Sequence, residues 1–163
     1  MSLEKQIAQV FNLKGDSWLK HANPWSIWTR FATLPFIVLA IWSRVWLGWY
    51  CLIPISILVI WLIINPTLFS KPKSLESWGS KSVLGEKYWS ERKENPVPKH
   101  HNTPVLILTV LQTIGGVILI IGLWKLEINW TIIGTITVYL TKMWFLDRMV
   151  WIFEDMKNEK TKL

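Results

Sequence analysis

The residues able to carry chemistry are a few histidines, carboxylates and cations placed where long apolar stretches begin or end. The 163-residue chain has three histidines, of which two are adjacent, and one cysteine. A single cysteine excludes an internal disulfide or a cysteine metal cluster. Imidazole and carboxylate ligands together suit zinc or iron. The candidate metal ligands are His21, His100, His101, Asp147 and Glu154.

The metal interpretation has a competing explanation. The sequence contains neither H-x-x-x-H nor H-E-x-x-H, the helical spacings that place two imidazoles on one ion. Three histidines are also far too few for a membrane desaturase or hydroxylase. Without a metal, the candidates for acid–base catalysis are His21, His101, Asp147 and Glu154. The sequence names no cofactor and leaves open whether the protein is an enzyme.

The cations suggest a different site, one that holds a lipid phosphate. Asn23-Pro24 predicts a capped helix start, where free amides and the helix dipole favour an anion. Arg30, Lys142 and Arg148 could pair with the same phosphate. The candidate lipid-binding residues are therefore Asn23, Arg30, Lys142 and Arg148. In the competing explanation, Lys142 extends towards the headgroups and Asp147 pairs with Arg30, which ties the last helix to the first.

The elements that must position these groups are long and apolar. Hydrophobic residues make up 51% of the chain, and they lie in two blocks, residues 31–64 and 104–153, with the charges between and around them. This segregation predicts an all-α integral membrane protein. The net charge of +7 does not indicate nucleic-acid binding, because the excess lies beside apolar spans, where it meets anionic lipid headgroups.

Length sets the number of spans. A single helix over residues 31–64 would be about 50 Å long, against about 30 Å for the hydrocarbon core. We expect the chain to reverse at Ser43-Arg44, since Arg44 at mid-bilayer is costly. The predicted transmembrane domain, residues 21–155, has four helices in two hairpins, spanning about 25–42, 46–65, 104–124 and 130–153.

Basic residues predict the orientation. The two short turns carry one basic residue each, while the N-terminal segment, the loop 66–103 and the C-terminal tail together carry fourteen. Both termini are therefore expected in the cytoplasm. Residues 1–20 form a predicted interfacial segment with an amphipathic helix, and residues 156–163 a cytoplasmic tail. A second amphipathic helix is predicted at 82–93, anchored on the membrane surface.

Four segments resemble one known family. They are His21-Ala-Asn-Pro-Trp-Ser-Ile-Trp-Thr-Arg30, Asn65-Pro66 with the following Phe69, Val83-Leu-Gly-Glu86, and Lys142-Met-Trp-Phe-Leu-Asp-Arg-Met-Val-Trp151. The chain is similar, from about His21 to Trp151, to a group of small uncharacterised bacterial and archaeal membrane proteins described as a domain of unknown function. The resemblance implies a helical membrane protein and supplies no activity.

These observations favour a tryptophan-rich multi-pass membrane protein whose polar cytoplasmic cluster binds lipid or holds the helices together. Its expected partners are anionic membrane lipids, with no nucleic acid. One alternative is a small membrane enzyme acting on a lipid or other apolar substrate. Another is a transporter or channel, which would require a homo-oligomer. The residues Gln112, Thr113, Gly115 and Gly116 could interrupt the third span, but small and hydroxylated residues usually indicate close helix packing.

Overall fold

The computed structural model describes residues 16–161, and the side chains of residues 18–159. All regular structure in this part of the chain is helical, as predicted. The N-terminal amphipathic helix was predicted in a segment that lies outside the described residues. The main helices are α1 (Asp16–His21), α2 (Pro24–Trp42), α3 (Leu52–Leu68), α4 (Trp78–Ser90), α5 (Asn102–Lys125) and α6 (Ile128–Thr161).

Two helical stretches of the described chain are long and apolar enough to cross a membrane, Pro24–Leu68 and Lys99–Lys125. The first of these contains α2, a turn and α3. The turn consists of a short helix, Arg44–Leu47, and a 3-10 helix, Gly48–Cys51. Gly48 has a φ of 52°, a conformation that side chains disfavour, and the helix therefore breaks there. As a result α3 begins at Leu52 and not at the predicted position 46.

The first hairpin is joined by hydrogen bonds near its open end. Asn65, near the end of α3, is fully buried. Its Oδ1 accepts from Ser26 Oγ at 2.7 Å, and its Nδ2 donates to Thr29 Oγ1 at 2.9 Å. The oxygen and the nitrogen of this amide therefore each have a partner on α2. An amide buried between apolar helices needs such hydrogen bonds.

The second hairpin packs along its whole length. Gly122 and Gly134 lie so close to the backbone of the opposite helix, at Thr131 and Leu119 respectively, that a Cβ at either glycine would overlap backbone atoms. Small residues at a helix contact allow this approach. The threonine hydroxyls of α6 bond to carbonyls four residues earlier in the same helix. Of the two glycines expected to serve packing, Gly115 lies against the Thr137 side chain, whereas nothing lies within 4 Å of a Cβ at Gly116.

The two hairpins meet at the turn end and in the middle. At the turn end, Arg44 Nη2 donates to the carbonyls of Leu123 (2.7 Å) and Trp124 (2.5 Å), which lie at the C-terminus of α5, where helical carbonyls lack partners. In the middle, the Tyr139 hydroxyl of α6 donates to the carbonyl of Phe31 on α2. Pro35, four residues later, has no N–H for that carbonyl, so Tyr139 supplies the missing donor.

Helix α4, which covers most of the amphipathic helix predicted at 82–93, packs against α6. It begins at Trp78, because the Ser77 side chain caps it by accepting from Ser80 N. The core beside it is formed by Trp89, Val105, Met149, Ile152 and Met156. Helix α3 packs chiefly against α1 and α2 and lies apart from this core. Helix α6 runs on to Thr161, through most of the segment predicted as a tail.

Gly85 sets the distance between α4 and α6. A Cβ built at this position would overlap the backbone carbonyl of Met149. Backbone atoms cannot rotate aside as a flexible side chain can, so any larger residue must push the two helices apart. The neighbouring Glu86 would move with the displaced helix.

We expect Gly85→Ala to lower the free energy of unfolding by about 3 kcal/mol or more, since overpacking here acts on backbone. Gly116→Ala is the matched control, because nothing lies within 4 Å of a Cβ at Gly116. That variant should unfold at the wild-type temperature or slightly above it. Thermal unfolding of the purified protein in detergent measures both, and equal melting temperatures would contradict the close approach.

Candidate functional site

A cavity of about 220 Å³ opens between α2, α4 and α6. Its wall is mostly apolar and includes three charged side chains. The lining residues are Ile27, Arg30, Phe31, Leu34, Val83, Glu86, Val138, Tyr139, Lys142 and Leu146. A cavity of this volume suits a small polar group and not a whole lipid.

Two cations and one carboxylate give the cavity its electrostatic character. Lys142 Nζ lies 2.8 Å from Glu86 Oε1, and both side chains are largely buried, at 34% and 25% exposure. The Lys142 ammonium also lies 4.8 Å from the centre of the Phe145 ring. Arg30 is the second cation. One carboxylate cannot neutralise both cations, so the cavity retains a net positive charge.

Arg30 is held by a buried histidine and a helix carbonyl. Its Nε donates to the carbonyl of Ser26 at 3.0 Å, and its Nη1 lies 2.7 Å from Nε2 of His21. A guanidinium can only donate, so this imidazole nitrogen must accept. Burial, with further contributions from Arg30 and Lys142, lowers the pKa of His21 to about 3. His21 is therefore neutral at pH 7, which is the state that accepts from Arg30.

His21 is the last residue of α1, and the packing of this helix positions its imidazole. The Trp18 ring packs edge-on to the imidazole, with centroids 6.2 Å apart. Ala22 is fully buried, and its carbonyl accepts from Ser80 Oγ of α4 at 2.7 Å. Trp18 and Ala22 belong to a buried cluster with Ile27 and Val83. The same apolar contact that joins α1, α2 and α4 therefore orients His21 towards Arg30.

The predicted pair of Arg30 with Asp147 is wrong. Among the described residues Asp147 accepts instead from Trp78 Nε1 at 3.2 Å and Trp151 Nε1 at 3.3 Å. Asp147 lies five positions after Lys142 on the same helix, which corresponds to a rotation of about 140° around the helix axis. The Asp147 carboxylate is therefore turned away from the cavity. Lys142 does not extend towards headgroups either, since it is bonded to Glu86.

Of the four candidate lipid-binding residues, two line the cavity. Arg30 and Lys142 do so, and Asn23 and Arg148 are absent from its wall. Asn23 caps α2, as predicted, by accepting from Trp25 N at 2.9 Å, and it donates to the carbonyl of Ser70 at 2.9 Å. The Nε of Arg148 is buried without a hydrogen-bond partner in the described part of the protein. Glu86, which sequence reasoning did not assign to the site, completes it.

The candidate catalytic and metal-binding residues are not brought together. His21 contacts Arg30, and Asp147 contacts two indoles. Glu154 lies 2.6 Å from Lys81 Nζ, an ion pair between α6 and α4. Only His100 and His101 meet, and the carboxylate beside them is Asp155, which was not predicted. The spacing along α6 alone could not indicate which of the adjacent acids, 154 or 155, faces the start of α5.

A family model described as a family of unknown function, DUF6653, matches residues 2–162, so the chain belongs to that family. This result confirms the resemblance to an uncharacterised family. No curated protein and no solved structure matches the chain.

The lowered pKa of His21 predicts a pH-dependent stability. An unfolded histidine titrates near 6.5, whereas the folded one titrates at about 3. Below pH 6.5 the unfolded state therefore binds more protons, and stability falls by about 1.4 kcal/mol per pH unit as the pH decreases towards 3. Above pH 6.5 this contribution to stability is fully present.

We expect wild type to lose roughly 2 kcal/mol more than His21→Gln between pH 7 and pH 5. Glutamine keeps an oxygen that can accept from Arg30 and does not titrate. Chemical unfolding in detergent at pH 7 and at pH 5 measures the loss of unfolding free energy for wild type and for His21→Gln. Other titrating groups are common to the two proteins and cancel, so an equal loss in both would show that His21 is not the group responsible.

Proposed function

We propose that this member of the DUF6653 family spans a membrane four times, with both termini and the loop 66–103 in the cytoplasm. The reversal of the chain between α2 and α3 supports two spans in the first apolar stretch. In α6, the least apolar of the proposed spans, Thr135, Thr137 and Thr141 hydroxyls bond carbonyls of the same helix. Polar side chains satisfied in this way cost little in a lipid environment.

The distribution of charge supports the same orientation. The turns that carry Arg44 and Lys125 lie together at one end of the molecule, as the bonds from Arg44 to the end of α5 require. Helix α4, α1 and the loop lie at the other end, with most of the basic residues. Basic segments of membrane proteins remain on the cytoplasmic side.

We further propose that the cavity between α2, α4 and α6 binds the phosphate of an anionic phospholipid headgroup. The observation that carries this proposal is the net positive charge of a largely apolar cavity whose cations belong to the inner ends of two spans. Arg30 would present its guanidinium to the phosphate, since His21 and Ser26 fix its orientation. The acyl chains would remain outside the cavity, against the exposed apolar helix faces.

Binding is favoured over catalysis and transport. The four residues proposed for acid–base chemistry have four separate sets of partners, so no pair of them shares a reacting group. The hydroxyl and small residues of α5 and α6 serve helix contacts and intrahelical hydrogen bonds instead of lining a polar path.

The two charges of the cavity should have opposite effects on affinity for an anion. Lys142→Met should weaken binding of a soluble short-chain phosphatidylglycerol about fivefold, because one cation near a lipid phosphate contributes about 1 kcal/mol. Glu86→Gln should strengthen binding, because it removes the only carboxylate from the cavity wall. Titration calorimetry in a neutral detergent measures both.

Lys125→Met is the matched control, since Lys125 is exposed in the turn at the opposite end. It should bind as wild type does. Phosphatidylcholine of the same chain length, which is neutral overall, should bind more weakly than phosphatidylglycerol to wild type. Equal affinity for the two lipids, or an equal loss in the Lys142→Met and Lys125→Met variants, would refute the site.

The proposed topology can be tested with single cysteines in a Cys51→Ala background. Lys125→Cys should react with a membrane-impermeant maleimide added outside intact cells, and Lys73→Cys should react only after permeabilisation. Both positions are exposed in the structure, so access across the membrane is the remaining variable. Labelling of Lys73→Cys from outside would overturn the orientation.

A further inference from the structure

Three potential metal ligands converge where α5 begins and α6 ends, away from the cavity. His100 and His101 belong to a 3-10 helix, Lys99–His101, that leads into α5. Nε2 of His100 lies 3.2 Å from Oδ2 of Asp155, and Nε2 of His101 lies 2.9 Å from the same oxygen. The three ligand atoms all lie within 4.8 Å of one another.

The two histidines differ in exposure, since His101 is buried and His100 is exposed to solvent. His101 is 1% exposed, so the surrounding atoms restrict the movement of its ring. His100 is 63% exposed, which gives solvent and ions access to the same carboxylate oxygen. The two rings lie close, with centroids 4.0 Å apart. Nε2 of each ring contacts the same acceptor, Oδ2 of Asp155.

The spacing suits a small transition-metal ion. Metal–ligand bonds of about 2.0–2.1 Å in tetrahedral geometry place neighbouring ligand atoms about 3.3 Å apart. The separations from Asp155 lie just below this value, at 2.9 and 3.2 Å. Any adjustment can come from His100, whose exposed side chain is free of the core. Two imidazoles and one carboxylate favour zinc over magnesium or calcium, which prefer oxygen ligands.

We propose that His100, His101 and Asp155 bind one divalent zinc ion, with an open position on the exposed side. Three protein ligands with a fourth position left to water are the arrangement of reactive zinc sites and not of closed structural ones. Nδ1 of His101 has no hydrogen-bond partner among the described residues. Since an acceptor at that nitrogen normally strengthens an imidazole ligand, the affinity should be below that of structural zinc sites.

This site is independent of the lipid cavity, because the two share no residue. It also differs from the ligand set expected from sequence. His21 is hydrogen-bonded to Arg30, Asp147 accepts from two indoles, and Glu154 forms an ion pair with Lys81. Failure of either proposal would therefore leave the other unaffected.

The test is a calorimetric titration with zinc ions alone, carried out on the metal-free, tag-free protein in detergent. Wild type should bind one equivalent. His100→Ala should weaken binding by about 100-fold or more, since even outer partners of zinc ligands contribute 10–100-fold. Because His100 is exposed, this variant should fold normally, and the melting temperature checks that it does. Asp155→Asn should weaken binding similarly.

Glu154→Gln is the matched control, a neighbouring carboxylate that lies outside the cluster and should leave zinc affinity unchanged. A millimolar excess of magnesium should not displace the zinc. Zinc binding that His100→Ala and Asp155→Asn leave intact, or that Glu154→Gln weakens equally, would overturn the assignment. Absence of stoichiometric binding to wild type would overturn it as well.

Discussion

The contact between Gly85 and the backbone of Met149 is the constraint on which the end of the protein that contains α1, α4 and the cavity depends. It allows α4 to lie against α6 without an intervening side chain. Only at that distance does Glu86 reach Lys142, and only then does α4 close one wall of the cavity. The same packing buries Val83 against Ile27 and Trp18, so the position of α1 also follows from it. Close packing at a single small residue therefore joins the long helices to α4.

Several polar interactions between the helices have one physical cause: a backbone carbonyl that lacks a donor in its own helix accepts from a side chain of a neighbouring helix. Tyr139 supplies the donor that Pro35 cannot give to the Phe31 carbonyl. Arg44 satisfies carbonyls at the end of α5. In an apolar environment an unpaired group of this kind costs several kcal/mol. These bonds fix where the hairpins contact each other, although the hairpins share little apolar core.

Sequence reasoning was reliable where a local property decided the outcome. The helical class, the reversal near Ser43 and the cap formed by Asn23 follow from hydrophobicity, charge and side-chain chemistry within a few residues. It was less reliable for partners. Arg30 and Asp147 have opposite charges at neighbouring helix ends, which made their pairing reasonable. The pairing fails because the helix turns the carboxylate towards Trp78, and because a buried histidine takes the guanidinium.

The sequence by itself determined that the chain is helical and that its apolar stretches fold back as hairpins. Burial in an apolar environment and the 3.6-residue helical repeat are sufficient for those conclusions. Only the tertiary structure decided which polar groups meet. Glu86 joins Lys142, and Asp155 joins His100 and His101, through contacts between segments more than fifty residues apart. Such contacts depend on the rotation and separation of packed helices, which no local pattern in the chain specifies.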